Sequence, residues 1–224
     1  MEDTDKVVLK GNILGLFRKY LFTLKGLSEN TADKDPFKQF EKWFKDAIKA
    51  EISLYEAMTL STVSEGGKPS SRVVLLKEFD ENGFVFYTNY QSRKAKEMEK
   101  TPSVALSFFW PSLNRQVRIE GSVEKIDTEC SDAYFNSRPR GSRIGAWASP
   151  QSEEISDRSF LAHEEKRYKD KFASGNIPRP PHWGGYCVKP VYIEFWQARA
   201  DRLHDRILYK LQEDMTWKIH RLAP

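Results

Sequence analysis

The spacing of hydrophobic residues changes near Ala57, and this change separates a helical segment from a long strand-rich part of the chain. Between Asp35 and about Ala50, phenylalanine and other apolar residues recur every three or four positions, which is typical of an amphipathic helix. Asp35 can accept hydrogen bonds from the first turn, and Pro36 fits the first helical position. The pattern therefore predicts a helix that packs on the core.

From Ala57 onward, short β-branched and aromatic runs are separated by turn-forming clusters such as EGGKP and DENG, which is typical of antiparallel hairpins. The predicted strands are AMTLSTVS, SSRVVLLKEF, FVFYTNY, SVALSFFW, RQVRIEGSVEKI, YCVKPVYIEFWQ, RILYKLQ and WKIHRLAP. Helices are predicted for a basic segment after Ser92, for Thr128 to Ser137 and for Ser156 to Ser174, and IPRPPHWGG is predicted to be a loop. Because short turns join neighbouring strands, we expect an α+β fold: an antiparallel barrel with helices packed outside.

Residues 1–34 are predicted to form an amino-terminal arm, and residues 35–224 a single domain. Apolar residues recur at helical spacing from Ile13 to Leu24, and the charged residues among them are all basic. A targeting or membrane-surface helix is one interpretation. We favour the other, an arm that packs on the body of the protein or on a partner chain.

Composition narrows the function classes. The 36 basic and 32 acidic residues give a net charge of +4, which is too balanced to indicate a nucleic-acid binder. The two cysteines are far apart, which favours a reducing compartment, and we expect a cytoplasmic protein. The four histidines are scattered and no apolar run reaches the length of a membrane span, so we expect neither a metal site nor a membrane protein.

The most polar strand end is EFWQARADRLHDR, residues 194–206. After the aromatic strand residues, Arg199, Arg202, His204 and Arg206 follow within a few positions. Arginine presents a rigid fork of donors that suits phosphate or carboxylate, so this segment predicts an anion site. A charged hairpin loop is the alternative interpretation.

Other basic or polar groups stand at predicted strand ends and helix starts. They are Arg72 with Lys77, Ser92-Arg93-Lys94, Arg115-Gln116, Tyr134 with Arg138 and Ser142, and Gln151-Ser152. The five-residue separation of Arg72 and Lys77 predicts opposite sides of one buried strand, where a lysine would need an anionic partner. A helix start with arginine and lysine suits phosphate, although an ordinary capped helix is the alternative there.

The number of phosphate-type donors exceeds what one small anion requires, so the sequence indicates two phosphorylated ligands. No dinucleotide or triphosphate motif occurs, and neither a Ser–His–acid order nor a glycosidase-like pair of carboxylates stands out. If the protein is an enzyme, we therefore expect a bound cofactor to provide the reactive group.

The motifs SSRVVLLK, FYTNYQSRKAKE, NRQVRIEG, YFNSRPRGSRIGAW, SPQS, WGGY, EFWQARADRLHDR and RLAP occur in this order between about Asp35 and Pro224. Together they resemble the pyridoxamine 5′-phosphate (or pyridoxine 5′-phosphate) oxidase family. The resemblance implies a split β-barrel and a homodimer with FMN in clefts between the subunits. It also implies oxidation of pyridoxamine or pyridoxine 5′-phosphate by dioxygen to pyridoxal 5′-phosphate and hydrogen peroxide, with ammonia released from the amine.

The resemblance further implies which residues contact the ligands. The expected FMN contacts are Arg72, Val73, Val74, Leu75, Lys77, Tyr87, Thr88, Arg93, Lys94, Gln116, Gln151, Ser152, Trp196 and Arg206. The expected substrate contacts are Lys77, Tyr134, Arg138, Ser142, Arg202, Leu203 and His204, and of these Arg202 and His204 are the expected catalytic residues.

The chain departs from the family pattern at Ala198-Arg199, at Arg143 and at His220. In the arm, Tyr20 fits the family's substrate-covering tyrosine, but Phe17 stands where the family carries an arginine. Alternatives to the oxidase are another flavin enzyme on the same barrel, such as a flavin reductase, and a non-catalytic carrier of pyridoxal phosphate or FMN. Peroxide production would separate the oxidase from the carrier. A nucleic-acid binder is the third alternative, and binding of an oligonucleotide that weakens with salt would be needed to support it.

Overall fold

A helix that begins at Pro36 packs against a curled antiparallel sheet in the computed structural model, which describes residues 26–224. The helices are α1 (Pro36–Lys49), α2 (Arg93–Lys100), α3 (Thr128–Ser137), α4 (Arg140–Ala148) and α5 (Arg158–Lys171). The strands are β1 (Ala57–Val63), β2 (Pro69–Leu75), β3 (Glu78–Asp80), β4 (Gly83–Asn89), β5 (Ser103–Trp110), β6 (Arg115–Lys125), β7 (Trp183–Gln197), β8 (Asp205–Leu211) and β9 (Trp217–Arg221). The helical spacing from Ile13 to Leu24 lies outside the described residues.

Helix α1 confirms the helix predicted from the Asp35-Pro36 start. The Asp35 carboxylate accepts hydrogen bonds from the backbone N–H of Phe37 at 2.8 Å and of Lys38 at 3.4 Å. On the buried face, the Phe40 ring lies among other aromatic rings of the core, with centroid distances of 4.8–5.5 Å to Phe44, Phe79, Phe84 and Phe108. These contacts fix the helix against the aromatic core of the sheet.

The strands form one sheet in the order β2-β1-β5-β6-β7-β4-β3, with β8 paired to β7 and β9 to β8. Every pairing is antiparallel. The register shifts between Glu120 and Gly121, where a Cβ on the glycine would lie only 2.0 Å from the Lys189 carbonyl oxygen, so the bulge requires glycine. The predicted antiparallel α+β split β-barrel is confirmed.

The prediction of one continuous strand for SSRVVLLKEF is wrong. Strand β2 ends at Leu75, and the chain then changes its pairing partner. The Leu76 N–H donates to the Glu56 carbonyl at 2.9 Å, whereas the Lys77 N–H donates to the Val85 carbonyl of β4 at 2.8 Å. The Lys77 side chain is exposed at this bend, so the expected burial of this lysine is also wrong, and Lys77 does not share a strand with Arg72.

Two helical regions differ from the sequence prediction. Helix α4 was not predicted, and it buries Ile144 and Ala148 beside a second aromatic cluster that includes Phe135 and Trp183. Helix α5 is shorter than predicted and spans Arg158–Lys171. No helix among residues 26–224 is long and apolar enough to cross a membrane.

Replacing Phe40 with alanine should lower the free energy of unfolding by about 3–5 kcal/mol, because the ring is fully buried among rigid aromatic neighbours. Urea denaturation of the ligand-free protein measures this change. Lys42→Ala, on the exposed face of the same helix, is the control and should change stability by less than about 0.5 kcal/mol. A loss below about 1 kcal/mol in Phe40→Ala would contradict the described core.

Candidate functional site

A buried lysine at the start of α2 is the centre of the first polar group. Lys94 lies in α2, the helix that follows strand β4, and it is only 8% exposed. Its Nζ donates to Gln151 Oε1 at 2.6 Å, to Thr88 Oγ1 at 3.1 Å and to Ser92 Oγ at 3.3 Å. All three acceptors are neutral. Among residues 26–224, the ammonium group of Lys94 is therefore stabilised by polar groups and is not paired with a carboxylate.

Two arginines beside this lysine are paired with one buried carboxylate. Glu97 Oε1 accepts from Arg93 Nε at 2.9 Å, one helical turn away on α2. Glu97 Oε2 lies 3.3 Å from Arg72 Nη2, and Arg72 also donates to Thr62 Oγ1 at 2.5 Å. The group therefore holds three cations and one carboxylate, and Glu97 contacts only the two arginines. The net positive charge, with Arg72 and Lys94 at least partly buried, suits an anion.

The buried position of Lys94 lowers its basicity. Burial, followed by the charge of Arg72, lowers the pKa of Lys94 from 10.5 to about 8. Ser92 stands at the N-cap position of α2, as predicted, but its hydroxyl donates to the Asn89 carbonyl at 2.7 Å and makes no capping hydrogen bond. Ser92 thus leaves the first-turn backbone N–H groups of α2 to other acceptors.

A stack of aromatic rings with an arginine forms the second group. The Tyr87 and Tyr134 rings stack with centroids 3.9 Å apart, and Trp183 stacks on Tyr87 at 5.4 Å. The Arg138 guanidinium lies 4.6 Å from the centre of the Trp183 ring. Its Nη1 is buried without a hydrogen-bond partner among residues 26–224, and burial lowers the pKa of Arg138. An unpartnered guanidinium nitrogen beside flat rings suits an aromatic ligand that bears an anion.

The third group is a row of side chains across β6, β7 and β8. Gln116 pairs with Trp196, and Trp196 pairs with Arg206, so the three share one face of the sheet. Their chain neighbours Val117, Phe195 and Ile207 are buried in the core, which places the row on the outer face.

Glu194 holds the arginine of this row. Arg206 donates to both oxygens of the buried Glu194 carboxylate, at 2.7 Å and 3.1 Å, and its Nη1 donates to the Ala223 carbonyl at 2.8 Å. The hydrogen bond to Glu194 raises the pKa of Arg206. Arg118 pairs with the same carboxylate at 3.3 Å. This arrangement fixes the guanidinium plane of Arg206 before any ligand binds.

The segment between β7 and β8, residues 198–204, contains the expected substrate contacts Arg202, Leu203 and His204, and we name it the substrate loop after that expectation. The Arg199 N–H donates to His204 Nδ1 at 3.1 Å, so a neutral His204 ring has its proton on Nε2. The His204 ring lies 4.6 Å from the Trp196 ring. Arg202 and Leu203 are exposed, and Arg202 has a left-handed backbone with φ of 60°.

Ion pairs fasten the base of this loop to both ends of the described chain. The Asp205 carboxylate contacts Arg199 at 3.3 Å and Arg221 at 3.0 Å, and it accepts from the Leu27 N–H at 3.1 Å. Arg221 also contacts Glu29 at 2.9 Å. Residues 26–29 therefore lie directly beside the substrate loop.

The structure brings most of the predicted site residues into these groups. Arg72, Thr88, Arg93, Lys94 and Gln151 form the first group, Tyr87, Tyr134 and Arg138 belong to the second, and Gln116, Trp196, Arg206 and His204 belong to the third. Lys77, Ser142, Ser152, Arg202 and Leu203 are exposed, and Val73, Val74 and Leu75 lie on β2.

Sequence reasoning missed the carboxylates. Glu97 lies four residues after Arg93, a spacing that predicts a contact on a helix and could have identified it. Glu194 lies two residues before Trp196, which predicts a shared strand face. No comparable signal indicates Asp205 and Glu29 as partners of Arg221, because these residues are far apart in sequence.

The family comparisons cover most of the chain. Residues 44–171 match a family model described as pyridoxamine 5′-phosphate oxidase. Residues 183–224 match a model described as the pyridoxine 5′-phosphate oxidase C-terminal dimerisation region. The chain is 54% identical over 203 residues to a pyridoxine/pyridoxamine 5′-phosphate oxidase of Gloeothece citriformis, covering 91% of this chain and 95% of the relative. A relative of the same name from Cupriavidus necator is 51% identical, with the same coverage.

Solved structures show the same fold. PhzG from Burkholderia lata, in complex with tetrahydrophenazine-1-carboxylic acid, is 28% identical with a TM-score of 0.84, covering 90% of this chain and all of that one. A pyridoxamine 5′-phosphate oxidase-related, FMN-binding protein from Nostoc punctiforme is 17% identical with a TM-score of 0.69, covering 86% of this chain and 100% of that one.

Replacing Lys94 with methionine should stabilise the ligand-free protein at pH 7 by about 1–3 kcal/mol, since one pKa unit corresponds to about 1.4 kcal/mol. The folded-state pKa of Lys94, about 8, lies below its usual 10.5, so the unfolded chain binds the proton more tightly. Stability of the unmodified protein therefore rises as pH increases from 8 toward 10.5, and the gain from Lys94→Met should shrink over that window. Urea denaturation at pH 7 and pH 9.5 tests this, with the exposed Lys96→Met as control. If Lys94→Met is less stable than the unmodified protein at pH 7, the predicted cost of burying the Lys94 charge is wrong.

Proposed function

The chain belongs to the pyridoxamine 5′-phosphate oxidase family, and on that premise we propose that it is an FMN-dependent oxidase of phosphorylated vitamin B6. It would convert pyridoxamine 5′-phosphate and pyridoxine 5′-phosphate to pyridoxal 5′-phosphate with dioxygen, releasing hydrogen peroxide, and ammonia from the amine. The observation that supports this best is the presence of two separate, at least partly buried cationic side chains, Lys94 and Arg138, that contact no carboxylate among residues 26–224. Two phosphorylated ligands would match them.

The residues of the first group fit the phosphate of FMN. Lys94 is buried with neutral acceptors only, and Arg72 lies beside it. Both would bind the phosphate, while Gln116 and Trp196 on the outer sheet face would contact the rest of the cofactor. FMN would supply a hydride acceptor that dioxygen can reoxidise. The protein's contribution is then to bind the cofactor and to orient the substrate against it.

The second group fits the phosphate end of the substrate. The free Nη1 of Arg138 would bind this phosphate together with Tyr134 and Ser142. Arg202 and His204 would close over the substrate ring, and the Arg199 N–H would keep the Nε2 proton of His204 directed away from the loop backbone. These contacts orient the ring and provide a group that can transfer a proton.

We also propose a homodimer with FMN at the subunit interface. The outer face of the sheet exposes apolar residues, with Val73 67% and Phe109 61% exposed, and Phe109 pairs with Gln116 of the row. This face includes the part of β7 and β8 that matches the dimerisation-region model. A second copy packed there would cover the apolar residues and enclose the ligand groups that are open in one chain.

The first experiment is an absorbance spectrum of the purified protein, followed by addition of pyridoxamine 5′-phosphate. We expect a flavin spectrum that bleaches without air, with pyridoxal phosphate and peroxide formed in air. Bound flavin that is not reduced by the substrate would instead favour another flavin enzyme on this barrel, and tetrahydrophenazine-1-carboxylic acid, the ligand of the PhzG structure, should then be tested. If the purified protein does not bind FMN, the proposal of an FMN-dependent oxidase is wrong.

Arg202→Ala should reduce kcat/KM for pyridoxamine 5′-phosphate roughly 10- to 150-fold, because hydrogen bonds to charged groups are worth roughly 1.5–3 kcal/mol. FMN content should stay unchanged, since Arg202 is assigned to the substrate. Steady-state peroxide production measures the rate, and absorbance of the purified variant measures bound flavin. Arg158→Ala, an exposed arginine at the start of α5, is the matched control. An unchanged rate constant at subsaturating substrate would exclude the proposed role.

A further inference from the structure

We propose that Glu97 is a positioning residue for cofactor binding: its buried carboxylate orients Arg72 and Arg93 toward the phosphate of FMN. This inference rests on the proposed FMN site and adds to it an anionic residue. A negative charge would thereby increase the affinity of the protein for another negative charge.

The contacts of Glu97 show how it can do this. It lies on α2 and is only 7% exposed. Besides the two arginines, Oε2 accepts from Thr62 Oγ1 at 2.5 Å and from Ser70 Oγ at 2.7 Å. Thr62 and Ser70 themselves accept from Arg72, so the carboxylate and the two hydroxyl groups surround this guanidinium. Strands β1 and β2 and helix α2 are joined at this one point.

Glu97 remains charged over the range in which a phosphate would bind. Burial raises the pKa of Glu97, but hydrogen bonds from Thr62, Ser70 and Arg93 outweigh burial and lower it to about 2. Removing the carboxylate would leave Arg72 partly buried without its anionic partner, and both hydroxyl groups would lose a charged acceptor. Arg72 would then be free to take other side-chain conformations.

Two physical effects predict opposite results for the neutral variant Glu97→Gln. If the carboxylate acted only through its charge, removing it would reduce repulsion of the phosphate and strengthen FMN binding. If it acts by orienting the arginines, removing it weakens FMN binding because the cationic cradle is no longer preorganised. The sign of the change therefore decides between the two.

The experiment is a titration of FMN-free protein with FMN, followed by the quenching of flavin fluorescence, in the unmodified protein and in Glu97→Gln. We expect Glu97→Gln to bind FMN about tenfold more weakly, in line with loss of a charged hydrogen bond. Binding of riboflavin, which lacks the phosphate, should be unchanged. Glu99→Gln, an exposed acid on the same helix, removes the same charge and should have no effect on either flavin.

Glu97→Asp provides a second variant that keeps the charge and shortens its reach. It should also weaken FMN and leave riboflavin unchanged, which separates orientation from charge even if Glu97→Gln folds poorly. Unchanged or tighter FMN binding in either variant overturns the positioning role, as does equal weakening of riboflavin. If the unmodified protein binds no FMN, the proposed function fails as well, whereas normal binding by the unmodified protein with unaffected variants overturns only this inference.

Discussion

Backbone pairing along β7 is the constraint on which the other arrangements depend. The first part of this strand pairs with β4, the last part pairs with β8, and β6 follows it along the opposite edge. Trp183 at one end consequently stands beside Tyr87 and Tyr134, and Trp196 at the other end stands between Gln116 and Arg206. A shift of one residue in this register would turn both tryptophans to the other face of the sheet. The second group would then lose Trp183, and the third group would lose Trp196.

The charges in the candidate site divide into compensated and uncompensated ones. Arg206 is held by Glu194, and Arg72 by Glu97, so their orientation is set by the protein itself. Lys94 and Arg138 lack such partners among residues 26–224 and are partly desolvated, which lowers the pKa of each. Burying a charge without a partner destabilises the folded state, and a bound phosphate would remove this penalty. In the absence of ligands, the residues proposed to bind them therefore destabilise the folded protein.

Sequence patterns predicted the parts of the fold that depend on local spacing. Helix α1 could be predicted from Asp35, Pro36 and the apolar face that follows them. The antiparallel barrel could be predicted because short strand-like runs alternate with clusters of turn-forming residues. The division between β2 and β3 was missed because it depends on Val85, a partner on another strand. Within the site, the basic residues were recognisable by type, and family motifs grouped them. The contact between Lys94 and Gln151, 57 positions apart, could not be derived from spacing.

The contacts at the base of the substrate loop join residues that are far apart in the sequence. The hydrogen bond from Leu27 to Asp205 spans 178 positions, and the pair of Arg221 with Glu29 spans 192. During synthesis on a ribosome, the strands up to β7 emerge before Arg221 does. Asp205 can therefore contact Arg199 and the Leu27 N–H before its second arginine partner is present. A chain that ended just before Arg221 would keep these two contacts but would lose the link from Asp205 through Arg221 to Glu29.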